Sequence, residues 1–153
     1  HMIGHLQRNK VKQALQLSSL IHSVDTLRVA EEINSAAARA GVTASVLLQV
    51  NTAGETRKYG VSVGASVHLA EQMETMSNLS LRGLMCMAPM TDDEAVVRIC
   101  FSRLREIFEE IKAEGFAAEA FTELSMGMSS DYRLAIEEGA TMLRIGSAFF
   151  RGD

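Results

Sequence analysis

Short apolar runs alternate along this chain with stretches whose apolar residues recur every three or four positions, and Gly, Asn, Asp or Ser marks each changeover. The first kind predicts strands and the second amphipathic helices. Strands are expected over residues 2–6, 20–24, 44–50, 79–87, 121–126 and 142–145. The run ASVLLQV at 44–50 is apolar enough to predict a strand buried on both faces. Between the strands, a helix over 9–17 places Val11, Ala14, Leu15 and Leu17 roughly on one side. A second, capped by Asp25 or Thr26 and ended by Gly41, carries the stripe Leu27, Ala30, Ile33, Ala37 and Ala38. A third spans 66–76, a polar loop over 51–60 preceding it. The longest, 92–114, has the stripe Val96, Ile99, Cys100, Arg103, Leu104, Ile107 and Ile111 and ends at Gly115, and a short one over 130–138 closes at Gly139.

Strands alternating with helices imply a parallel sheet with helical crossovers, either an open doubly wound sheet or part of a barrel. Periodicity does not choose between them. A (β/α)8 barrel needs eight strands and typically about 250 residues, whereas this chain supplies six strands in 153 residues. If it is a barrel, its beginning is missing. No repeat, low-complexity tract or linker divides the chain, so residues 1–153 are expected to form one partial domain.

Composition narrows the class. A hydrophobic content of 47% with 22% charged residues excludes disorder, and a formal net charge of -4, with Lys and Arg scattered among Glu and Asp, offers no face for nucleic acid or anionic membrane. Cys86 and Cys100 lack both a CxxC spacing and neighbouring His ligands, so buried thiols in a reducing compartment are expected. Met85, Met87, Met126 and Met128 are expected to fill core gaps rather than to ligate metal. No apolar run approaches the ~20 residues of a membrane span, and no signal-peptide layout opens the chain, which predicts a cytoplasmic protein.

Candidate chemistry concentrates at the ends of the last two strands, in LSMGMSSD (124–131) and LRIGSA (143–148). Phosphate is bound by backbone N–H groups that approach closely, by hydroxyl donors and by helix N-termini, and Ser125, Gly127, Ser129, Gly146 and Ser147 supply such groups. The same residues also suit plain helix capping and chain turning. Arg144, between Leu143 and Ile145 within the last strand, favours a ligand, because an inward guanidinium needs a partner. His5, Asn9, Lys10 and Asn51 follow strands and are weaker candidates, better suited to packing and turns.

HMIGHLQRNK (1–10), LLQVNTAGETRKYGV (47–61), LRGLMCMAP (81–89) and the segment 124–150 closely resemble, in order, the pyridoxal phosphate homeostasis protein family. That resemblance spans nearly the whole chain. It implies a (β/α)8 TIM-type barrel of alanine racemase N-terminal type, here incomplete with about six βα units, and a non-catalytic protein that binds pyridoxal 5′-phosphate. By position it makes Ser125, Gly146 and Ser147 phosphate ligands, with Gly127 and Ser129 shaping the pocket. Arg144 corresponds to an arginine facing the pyridine nitrogen.

The departures are equally specific. The family's Schiff-base lysine lies on a first strand that would precede His1, and none of Lys10, Lys12, Lys58 or Lys112 occupies its motif, so cofactor binding is expected to be non-covalent. Lys58 is expected to be a solvated loop charge, and the ending FFRGD (149–153) lacks the glycine that follows the last Phe in the family. Two alternatives remain at this point: a fragment of a racemase-like enzyme, and a partner-dependent fragment that no longer binds cofactor. Self-association through open barrel edges is expected in either case.

Overall fold

The computed structural model describes residues 1–55 and 58–150. Thr56 and Arg57, within the polar loop, and 151–153, within the FFRGD ending, lie outside the described residues. A 3-10 turn, Arg8–Lys10, leads into α1 (Val11–Leu17), and the order continues β1 (Ile21–Val24), α2 (Leu27–Ala40), β2 (Ala44–Asn51), β3 (Val61–Ser62) and α3 (Val63–Glu74). It ends β4 (Leu79–Met85), α4 (Glu94–Ala113), β5 (Glu123–Met128), α5 (Tyr132–Glu137), β6 (Met142–Arg144) and α6 (Ser147–Phe150). Every pairing is parallel, in the order β1-β2-β4-β5-β6 with β3 added beside β2. The sheet is a curled, incomplete barrel whose end strands β1 and β6 do not pair with each other.

Two differences from the expected elements are instructive. The strand at 2–6 reduces to a single bridge, Met2 to Ile21, because the chain bends at Gly4. β3, only two residues long, was not expected from the pattern, and Gly60 before it explains its approach: a Cβ there would lie 2.7 Å from the Asn51 nitrogen.

Side chains divide into two layers. Val46, Leu48 and Val50 of β2, Leu81 and Leu84 of β4, and Leu124 and Met126 of β5 pack outward against Ile33, Ala37, Phe101, Leu104 and Ile111 of the helices. Leu20, Leu47 and Met85, with Met142, form a small inner cluster. Leu20, Leu47 and Met85 are buried and Met142 is half-buried, and nothing among the described residues supports the expected self-association. Beyond β5, β6 pairs with no other strand among the described residues.

Helix boundaries follow local chemistry. Thr26, not Asp25, caps α2, its hydroxyl accepting from the Val29 N–H at 3.3 Å, while Asp25 is buried against His5. Gly41 at φ 67° ends that helix. In α4 the buried stripe is Val97, Cys100, Phe101, Leu104, Ile107, Phe108 and Ile111. Val96 and Ile99 of the expected stripe are 40% and 49% exposed, because Phe101 and Phe108 draw the helix round to seat their larger rings. Asp93 caps this helix, accepting from Ala95 and Val96 N–H at 3.0 and 3.4 Å. Replacing Asp93 by Ala is expected to lower stability by about 1 kcal/mol in urea unfolding, and an unchanged midpoint would show the cap to be solvated away.

Cys86 and Cys100 are buried thiols, as expected, and burial pushes Cys86 up to about 12. Met85 and Met126 fill the core, but Met87 and Met128 stand exposed, since each lies at or beyond the end of its strand. No helix among the described residues is long and apolar enough to cross a membrane.

Candidate functional site

β4, β5 and β6 run parallel, so their C-terminal ends meet on one rim of the sheet. Arg144, the last residue of β6, turns its side chain along that rim. Its Nη1 donates to Ser125 Oγ at 2.7 Å and its Nη2 to the carbonyl oxygen of Cys86 at 2.7 Å. Both acceptors are neutral, and no carboxylate among the described residues lies within ion-pairing distance. Burial accordingly lowers the affinity of this guanidinium for its proton, with Asp131 partly opposing the effect. A cation partly taken out of water without a counter-ion is costly, and such a position is a candidate for ligand contact.

Behind Arg144 lies a histidine that the sequence reading passed over. His22 of β1 is 2% exposed, with Nδ1 2.8 Å from Ser125 Oγ and Nε2 3.1 Å from His1 Nδ1. Burial first, and the Arg144 guanidinium second, push its pKa down from 6.5 to about 4, so the ring is neutral at physiological pH. The sequence did hold one signal, a titratable ring inside a strand, although β1 reads IHSV with apolar residues in both phases, so alternation alone does not assign the face of His22. The Cys86 carbonyl carried no such signal, because any residue supplies one.

In front of Arg144 opens a cleft of about 930 Å³, lined among others by His22, Met90, Ser129, Arg144, Gly146 and Ser147. Ser147 begins α6, and the Gly146 N–H donates to Ser129 Oγ at 3.3 Å, which ties the two strand-end loops together. Met128 N–H donates to the Asp131 carboxylate at 2.6 Å, so Asp131 tightens the loop instead of capping α5 with its side chain. Gly127 has φ 94°, and a Cβ there would lie 2.6 Å from the Ala135 Cβ. Its role is to let α5 sit close on β5.

The structure thus gathers Ser125, Ser129, Arg144, Gly146 and Ser147 at one place, with Gly127 directly behind. Ser125 differs from the rest, since it is fully buried and its oxygen is held between His22 and Arg144. The weaker candidates go elsewhere. His5 pairs with Asp25 at 3.3 Å and stacks on Tyr59 at 3.8 Å between ring centroids. Asn51 makes a turn, donating to the Glu55 carbonyl and accepting from Gly54 N–H. Lys58 is not simply solvated: its Nζ lies 2.8 Å from Glu55 and 3.5 Å from the Ala88 carbonyl oxygen.

The profile of the alanine racemase N-terminal domain matches residues 1–153. The chain belongs to that family. A pyridoxal phosphate homeostasis protein of Helicobacter pylori is 42% identical over 153 residues, covering 99% of this chain and 66% of its own length. The corresponding protein of Aquifex aeolicus is 41% identical over 150 residues, covering 98% and 65%. This chain therefore spans about two thirds of the length of these curated relatives. Among solved structures, PipY of Synechococcus elongatus with pyridoxal phosphate bound superposes with a TM-score of 0.86 at 33% identity, covering 96% of this chain and 68% of PipY. A Clostridium difficile alanine racemase, at 16% identity and TM-score 0.82, covering 98% of this chain and 38% of the racemase, shares the fold. The expected incomplete barrel of alanine racemase type and the pyridoxal phosphate homeostasis kinship are both met.

Proposed function

We propose that this chain binds pyridoxal 5′-phosphate non-covalently as part of a cofactor homeostasis function, with the phosphate at Gly146 and Ser147 and the pyridine ring against Arg144. Ser129 and Gly127 shape the loops around the phosphate. Ser125 enters through the hydroxyl that holds Arg144, rather than as an outward phosphate donor. The observation that carries this reading is the guanidinium of Arg144, half-buried on neutral acceptors at the wall of a cleft whose other polar groups are the imidazoles of His1 and His22, serine hydroxyls and a glycine-flanked backbone. That donor set suits a phosphorylated aromatic ring: hydroxyl and amide donors for the anion, and a cation for a ring nitrogen that accepts.

When bound, this cofactor supplies an aldehyde that condenses with amines and a ring that withdraws electrons. Arg144 opposes the second property, because a permanently charged donor disfavours a proton on the ring nitrogen. Storage and delivery fit that arrangement better than racemisation does. The names of the curated relatives and the ligand in PipY support the cofactor class. No lysine lines the cleft among the described residues.

Titration with pyridoxal phosphate, followed by absorbance, tests the proposal. Saturable binding that inorganic phosphate competes away is expected, and Ser147→Ala should weaken it roughly ten-fold, the effect of about 1.5 kcal/mol for one hydrogen bond to a charged group. Borohydride should leave no reduced adduct on the protein. An adduct mapped to Lys58 would overturn the non-covalent assignment, and the absence of binding would remove the cofactor reading.

A further inference from the structure

We infer that His22 is a positioning residue for Arg144, acting through the Ser125 hydroxyl and fixing the guanidinium in the one direction that faces a ring in the cleft. The inference rests on the proposed function for its ligand and on the geometry alone for its mechanism.

Hydrogen-bond accounting gives the link its direction. A guanidinium only donates, so Ser125 Oγ accepts from Arg144 Nη1. The hydroxyl proton must then go to another acceptor, and among the described residues the remaining partner of this fully buried oxygen is His22 Nδ1. His22 Nδ1 is therefore unprotonated, and its proton sits on Nε2, facing His1 Nδ1. The chain reads Arg144 to Ser125 to His22, each donating to the next. The Cys86 carbonyl holds the second arm of the guanidinium, so two contacts from two strands define its plane.

Protonating His22 reverses the middle step. An imidazolium donates from both nitrogens, so Nδ1 no longer accepts the Ser125 proton, and a second cation then stands one hydroxyl away from Arg144. The charged groups that act on His22 are Arg144 and the amino terminus, which disfavour its protonation, and Glu123, which favours it. Because the folded-state pKa lies below the ordinary 6.5, at about 4, the unfolded chain takes up this proton first. The stability His22 contributes is complete above pH 6.5 and declines as pH falls from 6.5 towards 4.

The experiment compares the full chain with His22→Leu and His22→Asn, whose amide oxygen can still accept from Ser125. Arg144 guanidinium signals in the NMR spectrum, assigned by their loss in Arg144→Lys, report hydrogen exchange without any ligand. His22→Leu should speed that exchange at least ten-fold and weaken pyridoxal phosphate binding at least ten-fold while leaving inorganic phosphate affinity within two-fold. His22→Asn should stay close to the parent in both. Acidifying the parent through pH 4 should release the Arg144 signals, whereas His22→Asn should keep them, which decides the matter even if His22→Leu does not fold. Unchanged Arg144 exchange in a folded His22→Leu, or release at the same pH in His22→Asn, would overturn the inference. A chain that protects Arg144 through His22 yet binds no pyridoxal phosphate would sustain the inference and refute the function.

Discussion

Replacing Gly83 by Ala is expected to unfold the protein or to remove most of its stability. Gly83 lies in β4 at φ 150°, opposite Glu123 of β5. A Cβ at this position would lie 1.8 Å from the Glu123 carbonyl oxygen and 2.7 and 2.8 Å from its carbonyl carbon and nitrogen. All three obstacles are backbone, so no rotamer change relieves them. The strands must separate instead, and β4–β5 is the joint that aligns Met85 with Ser125 and brings the Cys86 N–H to the Ser125 carbonyl. A loss above about 4 kcal/mol is expected, a large part of the 5–15 kcal/mol that holds a typical domain. Urea unfolding measures it. A loss below about 1 kcal/mol would show that the sheet widens here without penalty.

Arg144→Met should do the opposite to the two properties, sparing stability while abolishing recognition of the ring. The guanidinium is half-buried without a counter-ion, so removing it lifts part of a desolvation penalty while Met keeps an apolar side chain of similar length. Against this stands the Cys86 carbonyl, left without that donor at about 1 kcal/mol. Ser125 keeps its bond to His22. The sum should change stability by no more than about 1 kcal/mol in either direction, and the acid sensitivity of folding due to His22 should lessen, since Arg144 is the second cause of its lowered pKa. Pyridoxal phosphate affinity should fall at least ten-fold, about 1.4 kcal/mol, with inorganic phosphate affinity little changed. A marked loss of stability with binding intact would reassign Arg144 to structure. It would also show that a buried charge is not, in this fold, a sign of a site.

These two residues illustrate how differently positions announce themselves. The order of strands and helices was legible because each element in a parallel α/β sheet is selected by a local period, and 44–50 or 92–114 carries that period within its own residues. Gly41, Thr26 and the apolar runs at 79–87 and 121–126 were legible for the same reason, although β5 starts at Glu123 and extends to Met128, two residues beyond its expected end. Where the period was ambiguous, rings decided: Phe101 and Phe108 turned α4 so that Val96 and Ile99 face water. The rim residues were found because glycine and serine at strand ends are chemically distinctive, and Arg144 because a charge inside a strand is unusual.

What no local pattern specifies is the partner of each polar group. His22 and Ser125 lie 103 positions apart, and Arg144 and the Cys86 carbonyl 58 apart. Parallel pairing of β1, β4, β5 and β6 into one curled sheet sets the register that brings them within 3 Å. Sequence therefore determined a parallel sheet with helical crossovers, its family resemblance made that sheet barrel-type, and its Gly and Ser residues at strand ends marked the candidate rim. Only the tertiary structure decided that Ser125 faces inward to hold Arg144, and that a neutral histidine stands behind it, because burial and hydrogen-bond completeness are properties of the whole sheet and not of any one strand.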